Sequence, residues 1–164
     1  MMFQYPPVGF HFSVTFQLFP QTPNDFRFQE VSGLDVELEM ESFIEGGQNR
    51  FIWQLPRRAR YSDLVLKRGM FMGSAIILWC QNAFENFVFE PTNITIALLN
   101  EKHVPVQAWY VVNAIPKKWS ISNFNAQENS VVVESITLSY QFYNVISVES
   151  LAFGGITAAG GISV

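Results

Sequence analysis

Hydrophobic and polar residues alternate along two stretches near the start of the chain. From Gly9 to Phe19, apolar side chains occupy every second position and polar side chains fill most of the positions between them. From Leu34 to Ile44 the alternation returns. Successive side chains of a β-strand point to opposite faces, so a period of two predicts strands. Between these strands we expect a turn-rich break at Pro20–Asp25, a short strand at Phe26–Val31, and a bulge or kink at Ser32-Gly33.

The remaining sequence adds more strands and one helix. The segment at about residues 70–84 has no proline and its residues favour a helix, so one flanking helix is predicted there. Asn100–His103 is typical of a hairpin turn. Further strands are predicted at Tyr61–Arg68, Thr92–Leu99, Val104–Ile115 and Ser130–Tyr143, with a crossing segment that begins at Pro116–Trp119. Many strands with a single helix predict a mainly β fold, either a two-sheet sandwich or a partly closed barrel.

One stretch, Glu45 to Arg60, shows no clean period. It contains Gly46-Gly47, Pro56 and several arginines, so a long loop is predicted at about residues 45–60. Loops of this length in a compact domain usually carry a function or a contact. We therefore expect this segment to touch another molecule.

The last fifteen residues of the sequence differ in composition from the rest. Residues 150–164 are Gly-rich and carry no charged side chain. We divide the sequence into one domain, residues 1–149, and an uncharged C-terminal arm, residues 150–164, which is expected to be flexible.

Composition favours assembly over a solitary globule. Charged residues make up 15% of the chain and hydrophobic residues 49%, with 16 phenylalanines. A typical soluble domain has about 25% charged residues. Because a lone globule needs a charged, solvated surface, this chain is expected to bury part of its surface against other copies. An ordinary aromatic-rich β domain is the alternative.

Charge and hydropathy argue against two classes of partner. The formal net charge is −4 and no basic tail is present, so the electrostatic footprint of a nucleic-acid-binding protein is missing. The longest uninterrupted apolar run, Ala75–Cys80, is far shorter than the roughly 18–20 residues of a membrane-spanning helix. No signal-peptide pattern opens the sequence. We expect no stable membrane association and assembly in the cytoplasm.

Catalytic and metal-binding chemistry finds little support in the sequence. A metal site needs several converging ligands, whereas the two histidines, His11 and His103, are far apart in sequence. The single cysteine, Cys80, lies in an apolar helical pattern where a buried, inert thiol is expected. No phosphate-binding glycine motif and no nucleophile motif is present. We therefore predict a protein that is not an enzyme and that uses no cofactor and no metal ion.

The sharpest charge feature is an acidic face on the strand predicted at residues 34–44. Its members are Asp35, Glu37, Glu39 and Glu41. An enzyme would use them as paired carboxylates. A solvated strand face is the simpler interpretation, because equally spaced like charges repel one another and tolerate this best in water. A third interpretation is that the face lines a channel and repels a polyanion, which could then slide through. The second and third interpretations both remain open.

Three ordered stretches carry a family resemblance. They are Leu55-Pro56 with Tyr61–Gly69, then Ile94–Glu101 with Pro105-Val106 and Trp109, then Asn113–Trp119 with Val133-Glu134 and Leu138–Tyr140. From about Pro7 to Tyr143 the chain resembles the tail tube proteins of contractile phage tails and the inner-tube proteins of extracellular contractile injection systems. It departs from them at Ile115, where an aromatic residue is common, and in a longer apolar tail after Val145.

The resemblance implies a two-sheet, β-barrel-like tail-tube fold. It also implies six-fold rings that stack into a hollow tube inside a contractile sheath, with DNA or effector proteins passing through the lumen. The implied partners are other copies of the chain, the sheath protein, and the baseplate and tail-terminator proteins. The finished particle would be a phage tail or a released or cell-bound injection particle. On this interpretation the acidic strand face lines the lumen. The contact between rings is expected at Glu45, Gly46, Gly47, Gln48, Arg50, Arg57, Arg58 and Arg60.

Three alternatives to the main tube subunit remain. The chain could be a ring protein of the related type VI secretion apparatus that also carries effectors. It could be a paralogue that initiates or terminates the tube. It could also be a small β-barrel hydrolase or ligand-binding domain, which would need a pocket with converging polar groups.

Overall fold

The computed structural model of the protein describes residues 11–18, 28–70 and 72–147. These residues are mainly β with one helix, which confirms the predicted fold class. In chain order the elements are β1 (Phe12–Phe16), β2 (Glu30–Ser32), β3 (Val36–Phe43), β4 (Trp53–Tyr61), β5 (Leu64–Gly69), α1 (Ala75–Glu85), β6 (Thr92–Leu99), β7 (Pro105–Ile121), β8 (Val133–Ser139) and β9 (Phe142–Ser147). The arm predicted at residues 150–164, the break at residues 20–25 and the outer ends of the first predicted strand lie outside the described residues.

The long strand β7 joins two antiparallel layers. Its first half pairs with β6 on one side and β9 on the other, and its second half pairs with β8. One layer therefore runs β1-β6-β7-β9 and the other β7-β8-β5-β2. The change of partner occurs near Asn113, whose φ of 52° lies in the left-handed region that asparagine tolerates. In the described part of the chain β1 and β2 do not pair with each other, so the barrel is not closed.

The hydrophobic core fills the space between the two layers. It is built from Val14, Phe16, Leu64, Leu66, Ile94, Ile96, Val111, Ile136 and Leu138, all buried. Helix α1 adds a buried face of Ile76, Trp79, Cys80 and Ala83. The helix begins at Ala75 rather than at Met70, because the Ser74 side chain caps it by accepting a hydrogen bond from the Ile76 N–H at 3.3 Å.

A buried ion pair ties the second layer to this helix cap. Arg68 on β5 and Glu134 on β8 are directly opposite each other and are 0% and 1% exposed. The Arg68 Nε donates to the Glu134 Oε2 at 2.9 Å, and the Arg68 Nη2 donates to the Ser74 Oγ at 2.8 Å. The Trp119 Nε1 on β7 donates to the Glu134 Oε1 at 2.6 Å. Each charge is therefore matched by several hydrogen bonds, which a buried ion pair requires.

Strands β2 to β5 form one long two-stranded ribbon with a single interruption. Ser32 pairs with Val65, and four residues further along each strand Val36 pairs with Tyr61, so the register is preserved across the interruption. The inner half of the ribbon, β2 and β5, belongs to the second layer. The outer half, β3 and β4, pairs with no other strand in the described part of the chain.

The prediction of a long loop at residues 45–60 is wrong for the second half of that range. The residues from Trp53 onward form β4, and only residues 44–52 connect it to β3. A β-bulge at Glu39 and Met40 leaves Arg57 as an extra residue opposite them, next to Pro56. Bulges accommodate proline, and an extra residue interrupts the alternation of faces. The hydrophobic pattern of residues 53–61 therefore shows no period of two, although these residues form a strand.

Two other boundaries also differ from the predictions. The segment at Pro116–Trp119 does not cross away from the sheet but continues β7. The final strand, predicted at Ser130–Tyr143, is two strands, because the chain turns at Tyr140 and Gln141 and β9 joins the other layer.

Candidate assembly surface

The outer half of the ribbon exposes both of its faces. Seven of the eight residues of β3 and eight of the nine residues of β4 are exposed. A two-stranded hairpin with no covering layer is marginally stable in water. This half of the ribbon is therefore the part of the described chain that most needs a partner.

One face of the outer ribbon carries charges of both signs. Glu37 lies opposite Arg60, and Glu39 lies opposite Arg58, so three of the predicted acidic residues (Glu37, Glu39 and Glu41) and two of the predicted contact arginines share this face. The fourth predicted acidic residue, Asp35, precedes β3, and its carbonyl accepts a hydrogen bond from the Ser62 N–H at 3.2 Å. The Arg58 Nε donates to the Glu39 Oε2 at 2.8 Å. This hydrogen bond, assisted by the Arg58 charge, lowers the pKa of the Glu39 carboxyl. The sequence alone predicts separate sites for the acidic and basic residues, because it does not show which strands pair.

The opposite face of the outer ribbon is apolar. Val36, Leu38 and Met40 are 51%, 56% and 51% exposed. Their cross-strand partners are Tyr61, Ala59 and Pro56. The predicted apolar face is thus present, but nothing in the described residues covers it. Contiguous exposed apolar surface of this kind marks an interaction site.

The tip of the outer ribbon combines a polar turn with aromatic residues. Glu45 to Gln48 form the turn, in which the Gln48 N–H donates to the Glu45 carbonyl at 3.2 Å and Gly47 has a φ of 91°. Phe51 and Trp53 stack edge to face, with ring centroids 5.0 Å apart, and Ile44 is 75% exposed. The predicted contact residues Glu45, Gly46, Gly47, Gln48 and Arg50 all lie in this exposed connection. The sequence did not single out the aromatic residues beside them.

Two more apolar surfaces were not found from the sequence. Strand β9 forms an edge of the first layer and exposes Phe142, Val145 and Ile146. The segment after α1 exposes Phe87 and Val88, with Phe87 at 81%. Alternation could not reveal them, because a residue on an outer face looks the same in the sequence as a core residue.

The residues considered for chemistry form no metal or nucleophile site. His103 Nδ1 and His11 Nε2 are 2.9 Å apart, so the structure brings together two histidines that are distant in sequence. Within residues 11–18, 28–70 and 72–147, no three metal-ligating side chains converge. Cys80 is buried, and desolvation, reinforced by the Glu134 charge, raises the pKa of its thiol to about 12. A thiol with so high a pKa is a poor nucleophile at neutral pH.

A cleft of about 520 Å³ lies beside the base of the outer ribbon. Glu39, Arg58, Arg60 and Tyr140 contribute to its lining. Its charged groups already face one another across the ribbon, whereas a ligand-binding site presents a few polar groups in an apolar, enclosed cavity.

In the described segments, no helix is long and apolar enough to cross a membrane.

Comparisons with known proteins agree on one family. The family model of the T4-like virus tail tube protein gp19 matches residues 8–144. No curated protein matches at the threshold applied.

Several solved structures are similar to the chain. A chain in the cryo-EM structure of the anti-feeding prophage (AFP) baseplate is 30% identical with a TM-score of 0.81, covering 89% of this chain and 99% of that one. A chain in the sheath-tube complex of the extracellular contractile injection system PVC is 25% identical with a TM-score of 0.74, covering 88% and 94%. A chain of the AFP tube-terminating cap is 27% identical with a TM-score of 0.75, covering 90% and 95%. Hcp1 from Flavobacterium johnsoniae, at 14% identity and a TM-score of 0.56, shares the fold.

Proposed function

Because this chain belongs to the T4-like virus tail tube protein family, we propose that its copies form six-membered rings that stack into the inner tube of a contractile particle. The observation that carries the proposal is the outer half of the ribbon, a hairpin with an uncovered apolar face. Heterologous contacts that close make rings, and neighbouring subunits can pair the free edges of strands such as β9. The AFP baseplate structure, which contains a similar chain, is six-fold symmetrised.

The tip of the outer ribbon makes the contact between stacked rings in this proposal. The turn at Glu45–Gln48, with Arg50 and the exposed Phe51 and Trp53, lies at the end of the ribbon farthest from the core. Arg57, the extra residue of the bulge, is assigned to the same contact. Arg58 and Arg60 are reassigned to the charged face, because their cross-strand partners are Glu39 and Glu37.

The charged face of the outer ribbon lines the lumen in this proposal. The carboxylates Glu37, Glu39 and Glu41 disfavour adhesion of DNA or acidic effector proteins. Arg58 and Arg60 on this face, and Arg57 close to Glu39, reduce this effect. The sheath, baseplate and tail-terminator proteins are the proposed partners. We assign the chain a structural rather than a catalytic role, with assembly in the cytoplasm before the particle is released.

The proposed burial of the apolar face between subunits is tested by making that face polar. The variant Leu38→Ser/Met40→Ser removes two exposed side chains, each of which contributes about 1.5–3 kcal/mol when buried in a contact. We expect a folded protein that forms few or no tubes in negative-stain images. The matched control is Gln54→Ser, a change in the same half of the ribbon that removes no hydrophobic side chain and only an exposed hydrogen bond to Ser42. It is expected to leave tubes unchanged. Tubes of normal length and number in the double variant would contradict the proposal.

The lumen assignment is tested by charge reversal. Glu37→Lys/Glu41→Lys spares the ion pair between Glu39 and Arg58, so rings should still form while the tubes retain added polyanions such as heparin. Glu128→Lys, on an exposed loop, is the control and should retain none. Loss of ring formation in the double variant would instead place these residues at a subunit interface.

A second candidate function is a specialised position at one end of the tube. It is supported by the similarity to chains in two terminal assemblies, the AFP baseplate and the AFP tube-terminating cap. Quantitative mass spectrometry of intact particles separates the two candidates. A main tube subunit is present in many more copies than the baseplate proteins, whereas an end-specific paralogue is present at about one ring per particle.

A further inference from the structure

The interruption of the ribbon brings its two strands unusually close together. Gly33 has a φ of 91°, and a Cβ atom placed on it would lie 1.9 Å from the Asp63 carbonyl oxygen. Only glycine fits such a position, because a side chain would collide with backbone and would disfavour the positive φ. Beyond this bend the outer half makes no strand pairing with the rest of the described chain. The direction in which the ribbon projects is therefore set at the bend.

Two tyrosines from the corner between β8 and β9 are hydrogen-bonded to this bend. The Tyr140 hydroxyl donates to the Gly33 carbonyl at 3.3 Å, and the Tyr143 hydroxyl donates to the Leu34 carbonyl at 3.2 Å. The two acceptors are consecutive backbone carbonyls in the segment that connects β2 to β3. The side chains come from residues more than 100 positions later in the sequence, so they connect the ribbon to a different part of the fold.

A third tyrosine closes the cluster from the other strand of the ribbon. Tyr61, the last residue of β4, lies edge to face with Tyr143 at a centroid distance of 5.2 Å and tilted against Tyr140 at 6.0 Å. These separations and tilted orientations are the favourable ones for aromatic pairs. The cluster thus contacts both strands of the ribbon where they leave the second layer.

We propose that Tyr61, Tyr140 and Tyr143 form a clamp that fixes the direction of the outer ribbon and so sets the reach and register of the contact between rings. This inference rests on the proposed function for its consequence in the tube, but the clamp itself is a property of the single subunit. The tyrosines are positioning residues, since they hold the contact surface rather than form it.

Burial supports the donor role of the Tyr140 hydroxyl. Desolvation, followed by the neighbouring Tyr143 and Asp35, raises the pKa of Tyr140 to about 12. A phenol with this pKa stays protonated throughout the physiological range, so it can donate to the Gly33 carbonyl at any pH the particle meets. The hydrogen bond that Tyr140 donates is therefore expected to persist between about pH 5 and 9.

The clamp is tested first in the isolated subunit. The double variant Tyr140→Phe/Tyr143→Phe keeps the aromatic packing and removes only the two hydroxyls. Tyr110→Phe is the matched control, because its hydroxyl donates to Gln17 Oε1 at 3.3 Å, outside the ribbon. Amide hydrogen exchange is measured by mass spectrometry on peptides from β3 and β4 and, as internal references, from β6 and β8.

We expect exchange about tenfold faster in β3 and β4 of the double variant, which corresponds to about 1.4 kcal/mol, with β6 and β8 unchanged. The control should match the unmodified protein in all four strands. Unchanged exchange in β3 and β4 would overturn the clamp. An equal acceleration in all four strands would also overturn it, because the tyrosines would then support the whole fold and not the ribbon.

A second measurement separates failure of the clamp from failure of the proposed function. In negative-stain images the double tyrosine variant should give shorter tubes with irregular ring spacing. Leu38→Ser/Met40→Ser keeps the clamp but changes the contact surface. If that variant builds normal tubes while the tyrosine variant shows local acceleration of exchange, the clamp stands and the proposed burial of the apolar face between subunits fails. If the tyrosine variant builds regular tubes of normal length, the proposed consequence for ring register is overturned.

Discussion

The buried ion pair between Arg68 and Glu134 allows a strong quantitative prediction. The substitution Glu134→Gln preserves shape and can still accept the hydrogen bond from the Trp119 Nε1. It removes the carboxylate charge that lies against the Arg68 guanidinium, which is 0% exposed. Breaking a buried pair in this way typically costs about 3–5 kcal/mol. Because domains are stable by only about 5–15 kcal/mol, the variant should lose a large share of its stability.

The assay is urea unfolding followed by tryptophan fluorescence, at a concentration where light scattering detects no polymer. The matched control is Glu30→Gln, which breaks the ion pair between Glu30 and Lys67. This pair is exposed, since 53% of the Glu30 side chain and 40% of the Lys67 side chain are accessible to solvent. Exposed pairs contribute at most about 1 kcal/mol. We therefore expect the free energy of unfolding to fall by several times more in Glu134→Gln than in Glu30→Gln.

A third variant identifies the cause of the loss. Arg68→Met/Glu134→Gln removes the buried guanidinium charge as well as the carboxylate charge, so it should recover more than half of the stability lost in Glu134→Gln alone. The reasoning would be refuted if Glu134→Gln and Glu30→Gln had the same free energy of unfolding. It would also be refuted if the double variant were less stable than Glu134→Gln.

Three further predictions follow from single residues. Gly33→Ala should misplace the outer ribbon, because its Cβ would meet the Asp63 carbonyl, and circular dichroism should show a retained fold while tube formation is lost. Cys80 should resist thiol reagents at pH 8 until urea unfolds the protein, since burial raises its pKa to about 12. NMR titration should place the midpoint of Glu39 below its ordinary 4.5, and Arg58→Gln should raise it. Because folding lowers the pKa of Glu39, the Glu39–Arg58 pair stabilises the folded protein above the pKa that Glu39 has in the unfolded chain. This stabilisation is lost as the pH falls through the lower pKa of the folded protein.

The sequence predicted the strands that have one apolar face and one polar face, because apolar and polar residues alternate along them. The strand predicted at Thr92–Leu99 is β6 residue for residue. The alternation at Leu34–Ile44 likewise found β3, although its apolar face is exposed in the single chain. An alternation of period two predicts that one face of a strand is apolar and suited to burial. It does not show whether the surface that covers this face belongs to the same chain.

Features that depend on tertiary pairing were not predictable from local pattern. Strand β4 was missed because the bulge residue Arg57 interrupts its period, and only pairing with β3 defines it. The tyrosine cluster joins Tyr61 to residues about 80 positions away, and no local pattern encodes such contacts. The pairing of Glu39 with Arg58 was missed for the same reason. The roles of the tip and the charged face in assembly stay predictions.

The most direct test of the account is cryo-EM of the purified chain at high concentration, alone and together with its sheath protein. We expect hollow tubes of uniform width built from stacked six-membered rings. In them the apolar face of the outer ribbon should be buried against a neighbouring subunit and the Glu45–Gln48 turn should contact the next ring. A strictly monomeric protein under both conditions, or tubes in which the outer ribbon contacts no neighbour, would contradict it.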